Sequence, residues 1–233
     1  MQLPYFFEEE LPLSEEFTLS ESTSRHMVQV LRMKEGELIQ LTNGNGYLLT
    51  AKIIFSHKKE TRVHVTQREN IPGEEPGITI AVSFIKNAGR FEWFLEKATE
   101  IGISHIIPLI CKRTEKSHLK EDRMKTIMVS AMLQSRQVWL PSLSYPVPIA
   151  QLVNTHQADQ KFIAHCMEEK KQELQKAKDQ KARSKIILIG PEGDFTPVEI
   201  EIAIENNFIP VSIGYTRLRT ETAAMVAAVL LKY

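Results

Sequence analysis

The chain of 233 residues is long enough to bury a sizeable core in one or two domains. Its hydrophobic content of 42% and charged content of 25% are typical of soluble globular proteins, and no apolar run approaches the ~20 residues that would cross a bilayer. The first ten residues, MQLPYFFEEE, lack the basic region and apolar core of a signal peptide, so we expect a cytoplasmic protein that does not bind a membrane.

The distribution of charge and the two cysteines indicate which ligands this protein could bind. The formal net charge is zero, but residues 1–24 contain six Glu and no Lys or Arg, whereas residues 25–72 contain eight Lys or Arg and four Glu. A locally basic region is compatible with binding a phosphate backbone. Cys111 and Cys166 are too few for a disulfide framework and lack metal-ligand spacing, so we expect no metal site.

Residues 25–70 carry the pattern of a small β-rich domain. A turn signal, Asn-Gly-Asn-Gly at 43–46, lies between two strand-like runs at 37–41 and 47–54. Residues 61–66 alternate polar and apolar side chains, as a half-exposed strand does. Short strands joined by tight turns predict a barrel.

The Pro- and Gly-rich segment at 71–77 separates this region from a different pattern, so we place one domain at residues 1–72 and a second at 73–233. In the second domain, mostly apolar strands alternate with helices, which predicts a mainly parallel sheet covered on both faces. The predicted strands are residues 78–84, 106–110, 161–165, 186–189 and 209–213.

Predicted helices cover residues 90–101, where Gly102 follows as a stop signal, and residues 120–139. Residues 168–185 are rich in Lys, Glu and Gln and predict a solvated helix or a mobile connection.

Two later helices carry start signals. Thr196, Pro197 and Glu199 form a capping-box pattern, and Thr220 is placed to cap the last helix.

Two strands of the second domain run directly into polar loops. Gly190-Pro191-Glu192-Gly193 follows one strand, and residues 214–222 follow the next. Open α/β sheets bind ligands where such loops meet, outside the carboxyl ends of the strands. The sequence has no G-x-G-x-x-G after a strand, no Walker A motif, no H-E-x-x-H and no G-x-S-x-G. A site without a phosphate-cradling loop suits a ligand that lacks phosphates, and S-adenosylmethionine is such a ligand.

Four motifs together resemble the RsmE family of ribosomal RNA methyltransferases, which belongs to the SPOUT superfamily. They are GPEGDF at 190–195, IGYTRLRTETA at 213–223, HMVQVLRMK at 26–34 and KATEIG at 97–102. The resemblance spans nearly the whole chain. It implies an α/β fold whose mainly parallel SPOUT-type sheet ends in a trefoil knot, a small N-terminal PUA-like β-barrel that binds RNA, and a homodimer with active sites at the subunit interface.

The resemblance also implies the activity, which is methylation of N3 of a specific uridine in 16S ribosomal RNA of the small subunit, with S-adenosylmethionine as cofactor. Two alternatives stay open. One is a SPOUT methyltransferase that acts on another RNA or another atom, such as a ribose 2′-OH, and the other is a non-catalytic RNA-binding dimer.

The cofactor-binding residues that follow from the two loops and from the resemblance are predicted to lie at the strand exits. Glycine at these positions lets the backbone approach a ligand closely. Glu192 either binds the cofactor or accepts hydrogen bonds within its loop. The full set is His165, Ile189, Gly190, Pro191, Glu192, Gly193, Ile213, Gly214, Leu218, Arg219 and Thr220.

Arg219 is the first catalytic candidate, because a cation beside O2 or O4 would stabilise the uridine anion formed when N3 loses its proton. Its structural alternative is a salt bridge to Glu221. Glu221 is the second candidate, as a general base or as a structural group in the first turn of a helix. Predicted RNA-binding residues are Arg25, Arg32, Lys34, Arg113 and Arg136.

Three residues depart from the family pattern, and the first is Thr114, which stands where Ser or Cys is usual after Arg113. Asp194 stands where the family has the second Gly of G-P-E-G-G, which places a carboxylate beside the cofactor loop. Gln137 stands where the family usually has a basic residue, in a segment that begins at Gln134 and ends at Pro141.

Overall fold

The computed structural model describes residues 2–73, 77–115, 120–168 and 171–233. Part of the predicted boundary at 71–77, namely residues 74–76, lies outside the described residues, as do residues 169 and 170 of the predicted 168–185 connection. The chain forms two compact units. The first comprises Met1–Gly73 and Met132–Leu140, and the second comprises Glu74–Ala131 and Pro141–Tyr233.

The first unit contains one five-stranded sheet with the strand order β1-β3-β4-β5-β2. The two longer strands pair in antiparallel fashion, and residues of β4 alternate between buried and exposed because one face of the sheet packs on the core. The predicted hairpin across residues 43–46 is confirmed. The strands are β1 (Tyr5–Phe7), β2 (Glu16–Thr18), β3 (Leu38–Thr42), β4 (Tyr47–Phe55) and β5 (Arg62–Asn70).

A helical segment precedes β3, which corrects the prediction that the β-rich pattern starts at residue 25. Helix α1 (Glu21–Arg25) continues into a π-helical turn, His26–Val30. The side chain of Ser20 accepts a hydrogen bond from the backbone N–H of Thr23 and so caps the helix. Met27 is fully buried in the core of this unit. The first residues of the HMVQVLRMK motif are therefore helical and contribute a side chain to this core.

The segment 132–140 belongs to the first unit, which the sequence did not predict. Trp139 forms an isolated antiparallel bridge with Asn45, and the backbone N–H of Leu140 donates to the carbonyl of Gly44 at 2.8 Å. A Cβ at Gly46 would lie 2.5 Å from Cζ2 of Trp139, so only glycine fits beneath the indole. The helix predicted over residues 120–139 is therefore too long.

The second unit contains an eight-stranded sheet in which every recorded pairing is parallel, as predicted. The order is β11-β13-β10-β12-β6-β7-β8, and β9 also pairs with β7. The strands are β6 (Ile78–Ser83), β7 (His105–Ile110), β8 (Ser142–Leu143), β9 (Val147–Pro148), β10 (Gln160–Ala164), β11 (Gln172–Glu173), β12 (Lys185–Ile189) and β13 (Ile209–Ser212).

Helices cover both faces of this sheet. The central strands β6 and β12 are buried at every residue, as expected for strands between two helical layers. No helix among the described residues has the length and apolarity needed to span a membrane. The helices are α2 (Ala88–Ile101), α3 (Glu121–Gln134), α4 (Ile149–Thr155), α5 (Leu174–Ala177), α6 (Pro197–Glu205) and α7 (Thr220–Lys232).

Two predicted helix signals are confirmed. Gly102 ends α2 in the left-handed conformation, with φ of 82°. The side chains of Thr196 and Glu199 form both hydrogen bonds of a capping box at the start of α6, and Pro197 is its first residue.

Two further helix predictions are corrected. Thr220 does not cap α7, because the N-cap residue is Arg219, which makes no side-chain capping bond. The connection at 168–185 contains β11 and the short helix α5, and Leu174 in that helix is completely buried. The prediction of a solvated segment rested on its many Lys, Glu and Gln residues and did not take the buried Leu174 into account.

Helices α4 and α6 pack on one face of the sheet, where Ile186 and Leu188 of β12 join their core cluster. Helix α7 packs against α2 and contacts β6 and β12. It reaches these central strands although the strand before it, β13, lies next to the edge strand β11. The residues between β13 and α7 therefore return from near the edge of the sheet to its middle.

Candidate functional site

Three neighbouring strands of the second unit end at one edge of the sheet. Strand β10 lies between β12 and β13, and all three run in parallel. Their carboxyl ends therefore release three loops side by side, beginning at His165, Gly190 and Ile213. A cavity of about 700 Å³ lies among these loops. Its position is the one at which open α/β sheets bind ligands, and its size is in the usual range for small-molecule sites.

Ten of the eleven predicted cofactor-binding residues line this cavity. They come from loops more than twenty residues apart in sequence and are brought together by the parallel strand pairing. The ten are His165, Ile189, Gly190, Pro191, Glu192, Ile213, Gly214, Leu218, Arg219 and Thr220.

Gly193 is not among the lining residues. It packs against Arg113, whose Cδ would lie 3.2 Å from a Cβ at this position. The Arg113 guanidinium donates to the carbonyl of Gly193 at 2.5 Å and to that of Phe195 at 3.4 Å. Arg113, predicted to bind RNA, is thus engaged in holding the loop after β12.

The predicted cofactor-binding set omits ten lining residues, although the sequence had already indicated one of them, Asp194, as a carboxylate beside the cofactor loop. Most lie in the same loops, so the strand exits were a sufficient signal for Cys166, Tyr215 and Arg217. Lys171 had no such signal. Its ammonium donates to the carbonyls of His165 and Met167 at 2.7 and 2.8 Å and so closes the loop after β10. The omitted residues are Ala164, Cys166, Lys171, Asp194, Val211, Ser212, Tyr215, Thr216, Arg217 and Ala223.

The two main loops are joined by a buried hydrogen bond. The hydroxyl of Thr220 donates to the carbonyl of Gly190 at 3.1 Å, and Thr220 is only 4% exposed. A buried carbonyl without a partner is costly, so this bond fixes the spacing between the loop after β12 and the start of α7.

Asp194 makes a second connection between loops. Its backbone has φ of 63°, which is uncommon for a residue other than glycine. One carboxylate oxygen accepts from the backbone N–H of Cys166 at 2.8 Å, and the other accepts from that of Phe195 at 2.9 Å.

Glu192 both lines the cavity and accepts a hydrogen bond within the protein. Its Oε1 accepts from the backbone N–H of Lys86 at 3.3 Å. The loop-bonding interpretation of Glu192 therefore has a specific partner, and the cavity-lining interpretation remains compatible with it.

The two catalytic candidates are differently placed. Arg219 is exposed and lines the cavity. Glu221 is buried and is absent from the cavity lining; Nε of Arg90 lies 3.6 Å from its Oε1. Within the part of the chain that is described, its other oxygen has no hydrogen-bond partner. The ion pair that the sequence suggested between Arg219 and Glu221 is formed by Arg90 and Glu221 instead.

The other predicted RNA-binding residues all belong to the first unit. Arg25 pairs with Glu21 in an exposed ion pair, and Arg32 and Lys34 are exposed. Arg136 donates to the carbonyl of Leu3.

The lining of the cavity suits an uncharged, planar ring system joined to a polar chain. Ile189, Val211 and Ile213 supply apolar surface beside backbone groups at the strand ends, and Glu192 supplies a carboxylate. A Cβ built at Gly214 would meet open space, so the backbone there is accessible to a ligand. The described residues contain no group of three His, Cys, Asp or Glu side chains arranged for a metal ion. S-adenosylmethionine, an adenosine with an amino-acid chain, fits these requirements.

Comparisons with known proteins agree with this architecture. Residues 73–232 match the model of the RNA methyltransferase domain family, and residues 19–65 match that of the RNA methyltransferase PUA domain. The ribosomal RNA small subunit methyltransferase E of Synechocystis is 30% identical over 217 residues, which cover 90% of this chain and 70% of that protein. The Bacillus subtilis protein of the same name is 27% identical, covering 93% of this chain and 90% of its own length.

Solved structures show the same fold. A probable rRNA methyltransferase from Porphyromonas gingivalis is 34% identical, with a TM-score of 0.89 and coverage of 97% of this chain and 95% of its own. The ribosomal RNA small subunit methyltransferase E of Neisseria gonorrhoeae, bound to S-adenosyl methionine, is 26% identical, with a TM-score of 0.86 and coverage of 98% and 96%. This chain therefore belongs to the ribosomal RNA small subunit methyltransferase E family of RNA methyltransferases.

Proposed function

We propose that this protein transfers the methyl group of S-adenosylmethionine to N3 of a specific uridine in 16S ribosomal RNA of the small subunit. The observation that carries the proposal is the cavity of about 700 Å³ at the carboxyl edge of the parallel sheet, lined by both sequence motifs that mark the family. The similarity to a protein solved with S-adenosyl methionine supports the choice of cofactor.

Residues of the three loops would hold the cofactor. Ile189, Ile213 and Leu218 would provide apolar surface for the adenine, and backbone groups of the loops at Gly190 and Gly214 would bond its edge. When bound, the cofactor supplies an electrophilic methyl group on a sulfonium. The bond between Thr220 and Gly190 keeps the loops at a fixed spacing before any ligand binds, which lowers the cost of ordering the site.

Arg219 is assigned the catalytic role in this proposal. N3 of uridine is a weak acid and carries no lone pair suited to attack until its proton is lost. A guanidinium at the cavity rim would stabilise the negative charge that spreads to O2 and O4. The exposure of Arg219 at the cavity supports this role.

Glu221 is assigned a structural role, in preference to that of a general base. It is buried beside Arg90 and does not reach the cavity surface.

The finer features of the fold belong to the same proposal. A trefoil knot is supported by the return of the chain from β13 to the middle of the sheet, and by Lys178, whose ammonium donates to the carbonyl of Leu230 in α7 at 2.8 Å. We further propose a cytoplasmic homodimer, with residues 1–72 as a PUA-like, barrel-shaped RNA-binding domain and residues 73–233 as the methyltransferase domain. Arg25, Arg32, Lys34 and Arg136 are proposed to contact RNA phosphates.

The deciding experiment is methyl transfer to small ribosomal subunits purified from a strain that lacks the gene. Incubation with labelled S-adenosylmethionine should place one methyl group on one uridine, and mass mapping of nuclease fragments should identify 3-methyluridine. A methyl group on a ribose 2′-OH or on another RNA would select the alternative substrate. Cofactor binding without transfer to any ribosomal particle would select a non-catalytic RNA-binding protein.

A further inference from the structure

The first unit contains a cavity of its own, of about 370 Å³. Aromatic, amide and guanidinium side chains line it. Tyr5 and Gln40 come from the sheet, and Arg136, Gln137 and Trp139 come from the segment that follows α3. This volume lies in the range of sites that hold one small molecule, such as a single nucleotide.

Arg136 places a fixed positive charge at this cavity. Its guanidinium donates to the carbonyl of Leu3 at 2.8 Å and to Oε1 of Gln40 at 3.3 Å, and it lies 5.8 Å from the centre of the Tyr5 ring. Both acceptors are neutral, and none of the ion pairs among the described residues involves Arg136. The cation is therefore held in one position, and no described residue supplies a carboxylate that would neutralise it.

The backbone of Arg136 also has an uncommon conformation, with φ of 57°. A residue other than glycine is strained in this region. In this conformation the guanidinium lies at the cavity and donates hydrogen bonds to Leu3 and Gln40.

The two aromatic rings are fixed by their polar ends. The hydroxyl of Tyr5 donates to the carbonyl of Gln137 at 2.8 Å, and the indole N–H of Trp139 donates to the carbonyl of Ile71 at 3.0 Å. Because these polar atoms are already bonded, the rings offer the cavity mainly apolar surface. Immobile aromatic surface beside a cation is the combination that binds unpaired nucleotides through stacking and phosphate contact.

We infer that this cavity, the Tyr5–Arg136–Trp139 pocket, binds a single unpaired nucleotide of the RNA substrate. The base stacks on the aromatic surface, the amide groups of Gln40 and Gln137 lie beside its edge, and Arg136 contacts the phosphate. The inference rests on the proposed function in one respect, namely that the substrate is RNA. It adds a second recognition site, in a different unit from the cofactor cavity.

The test uses the intrinsic fluorescence of Trp139. The chain has two tryptophans, so Trp93→Phe leaves Trp139 as the single emitter in the full-length protein. Uridine 5′-monophosphate and a ten-nucleotide single-stranded RNA should quench this emission, whereas ribose 5-phosphate, which has no base, should not. Quenching by ribose 5-phosphate to the same extent would overturn the stacking assignment.

Arg136→Gly in the same background removes the guanidinium and accommodates the positive φ, so the turn keeps its shape. We expect affinity for the RNA to fall about tenfold, and the slope of log affinity against log salt to fall by about one, as for the loss of one phosphate contact. Asn207→Gly is the control for replacing a left-handed residue by glycine, because Asn207 has φ of 66° and does not line the pocket. It should leave quenching by uridine 5′-monophosphate unchanged.

Equal quenching curves for the Arg136→Gly variant and its parent would overturn the inference. So would conversion of a dimer to a monomer by Arg136→Gly with nucleotide binding intact, because the surface would then be a protein interface. Nucleotide quenching in a protein that transfers no methyl group would refute the proposed function and leave the pocket standing. If Arg136→Gly methylated subunits with the wild-type KM, the proposed function would stand and the nucleotide pocket would be refuted.

Discussion

The carboxylate of Asp194 joins the loop after β10 to the loop after β12, because its Oδ2 accepts the backbone N–H of Cys166 at 2.8 Å. Its Oδ1 meanwhile accepts the N–H of Phe195 at 2.9 Å. Asp194 itself has a left-handed backbone conformation, with φ of 63°. Two hydrogen bonds to a charged acceptor compensate for the strained backbone.

Replacing Asp194 should weaken cofactor binding while the fold persists. Asp194→Gly accepts the positive φ without strain but loses both bonds, each worth about 1.5–3 kcal/mol when the acceptor is charged, against about 1 kcal/mol of relieved strain. We expect the Kd for S-adenosylmethionine to rise about tenfold or more by isothermal titration calorimetry. Asp194→Asn keeps one acceptor and should be intermediate. Wild-type affinity in Asp194→Gly would show that the connection between the loops is dispensable.

Arg219→Ala should lower kcat by about 100- to 1000-fold, because it removes a donor that faces the developing negative charge on the uridine. Single-turnover methyl transfer to undermethylated subunits measures this rate without the contribution of product release. Arg217→Ala is the matched comparison, since Arg217 lines the same cavity from the same loop. Its effect should be at least ten times smaller. Equal losses in the two variants would indicate general attraction of RNA by the loop and not a catalytic position for Arg219.

Glu221→Gln distinguishes a structural carboxylate from a general base. Loss of the ion pair with Arg90 should reduce the free energy of unfolding by about 1–2 kcal/mol, measured by thermal or urea denaturation. Methyl transfer by the remaining folded protein should stay within about tenfold of wild type. A fall of 100-fold or more in kcat with unchanged stability would instead identify Glu221 as the base.

The two thiols should differ sharply in reactivity. Cys111 is 6% exposed, and burial, followed by the negative charge of Glu199, raises its pKa to about 12. At pH 8 only about one Cys111 in ten thousand is then a thiolate, the reactive form. Cys166 is exposed and lines the cofactor cavity. Iodoacetamide should label Cys166 alone, and S-adenosylmethionine should slow the labelling, as measured by mass spectrometry of the intact protein. Faster labelling of Cys111 would contradict its burial.

Stability should decline in mild acid partly because of His156. Burial lowers the pKa of His156 below 6.5, and the charges of Lys161 and His105 lower it further. The fold thus favours the neutral ring, and the stability it contributes is present above pH 6.5 and is lost as the pH falls through the lowered pKa. His156→Gln should flatten the decline of Tm between about pH 7 and pH 5. The exposed His26, changed to Gln, provides the control. Parallel Tm profiles for wild type and His156→Gln would refute the assignment.

Local signals in the sequence were sufficient for much of the fold. The capping box at Thr196 and the glycine at 102 each involve residues within one turn of a helix. Four or five consecutive residues were therefore enough to predict each of them. The apolar strands were predictable for a similar reason, since burial on both faces requires apolar residues at every position.

The missed features depend on residues far apart in sequence. Thr220 had a good pattern for a helix cap, but its hydroxyl bonds to Gly190, thirty residues earlier. Trp139 was the last residue of the helix predicted at 120–139, but it packs over Gly46 of the hairpin and lies outside the helix. In both cases a tertiary contact overrides a local preference, and a single sequence contains no record of that contact.

The cofactor cavity was predictable because strand exits at one sheet edge must converge. The contribution of Lys171 was not predictable. Its ammonium donates to two backbone carbonyls, and every residue type has such a carbonyl. The pocket of the first unit was equally hidden, because it combines Tyr5 with residues more than 130 positions away.

The position of α7 has a consequence for biosynthesis. This helix packs on α2 and β6, which the ribosome makes more than a hundred residues earlier. Contacts of such long sequence separation form slowly, because a large loop must close before they contribute. During translation, the residues of β6 that contact α7 in the folded protein therefore lack this contact until α7 leaves the exit tunnel. We therefore expect the cofactor cavity, whose wall includes Thr220, to be among the last parts of the molecule to form.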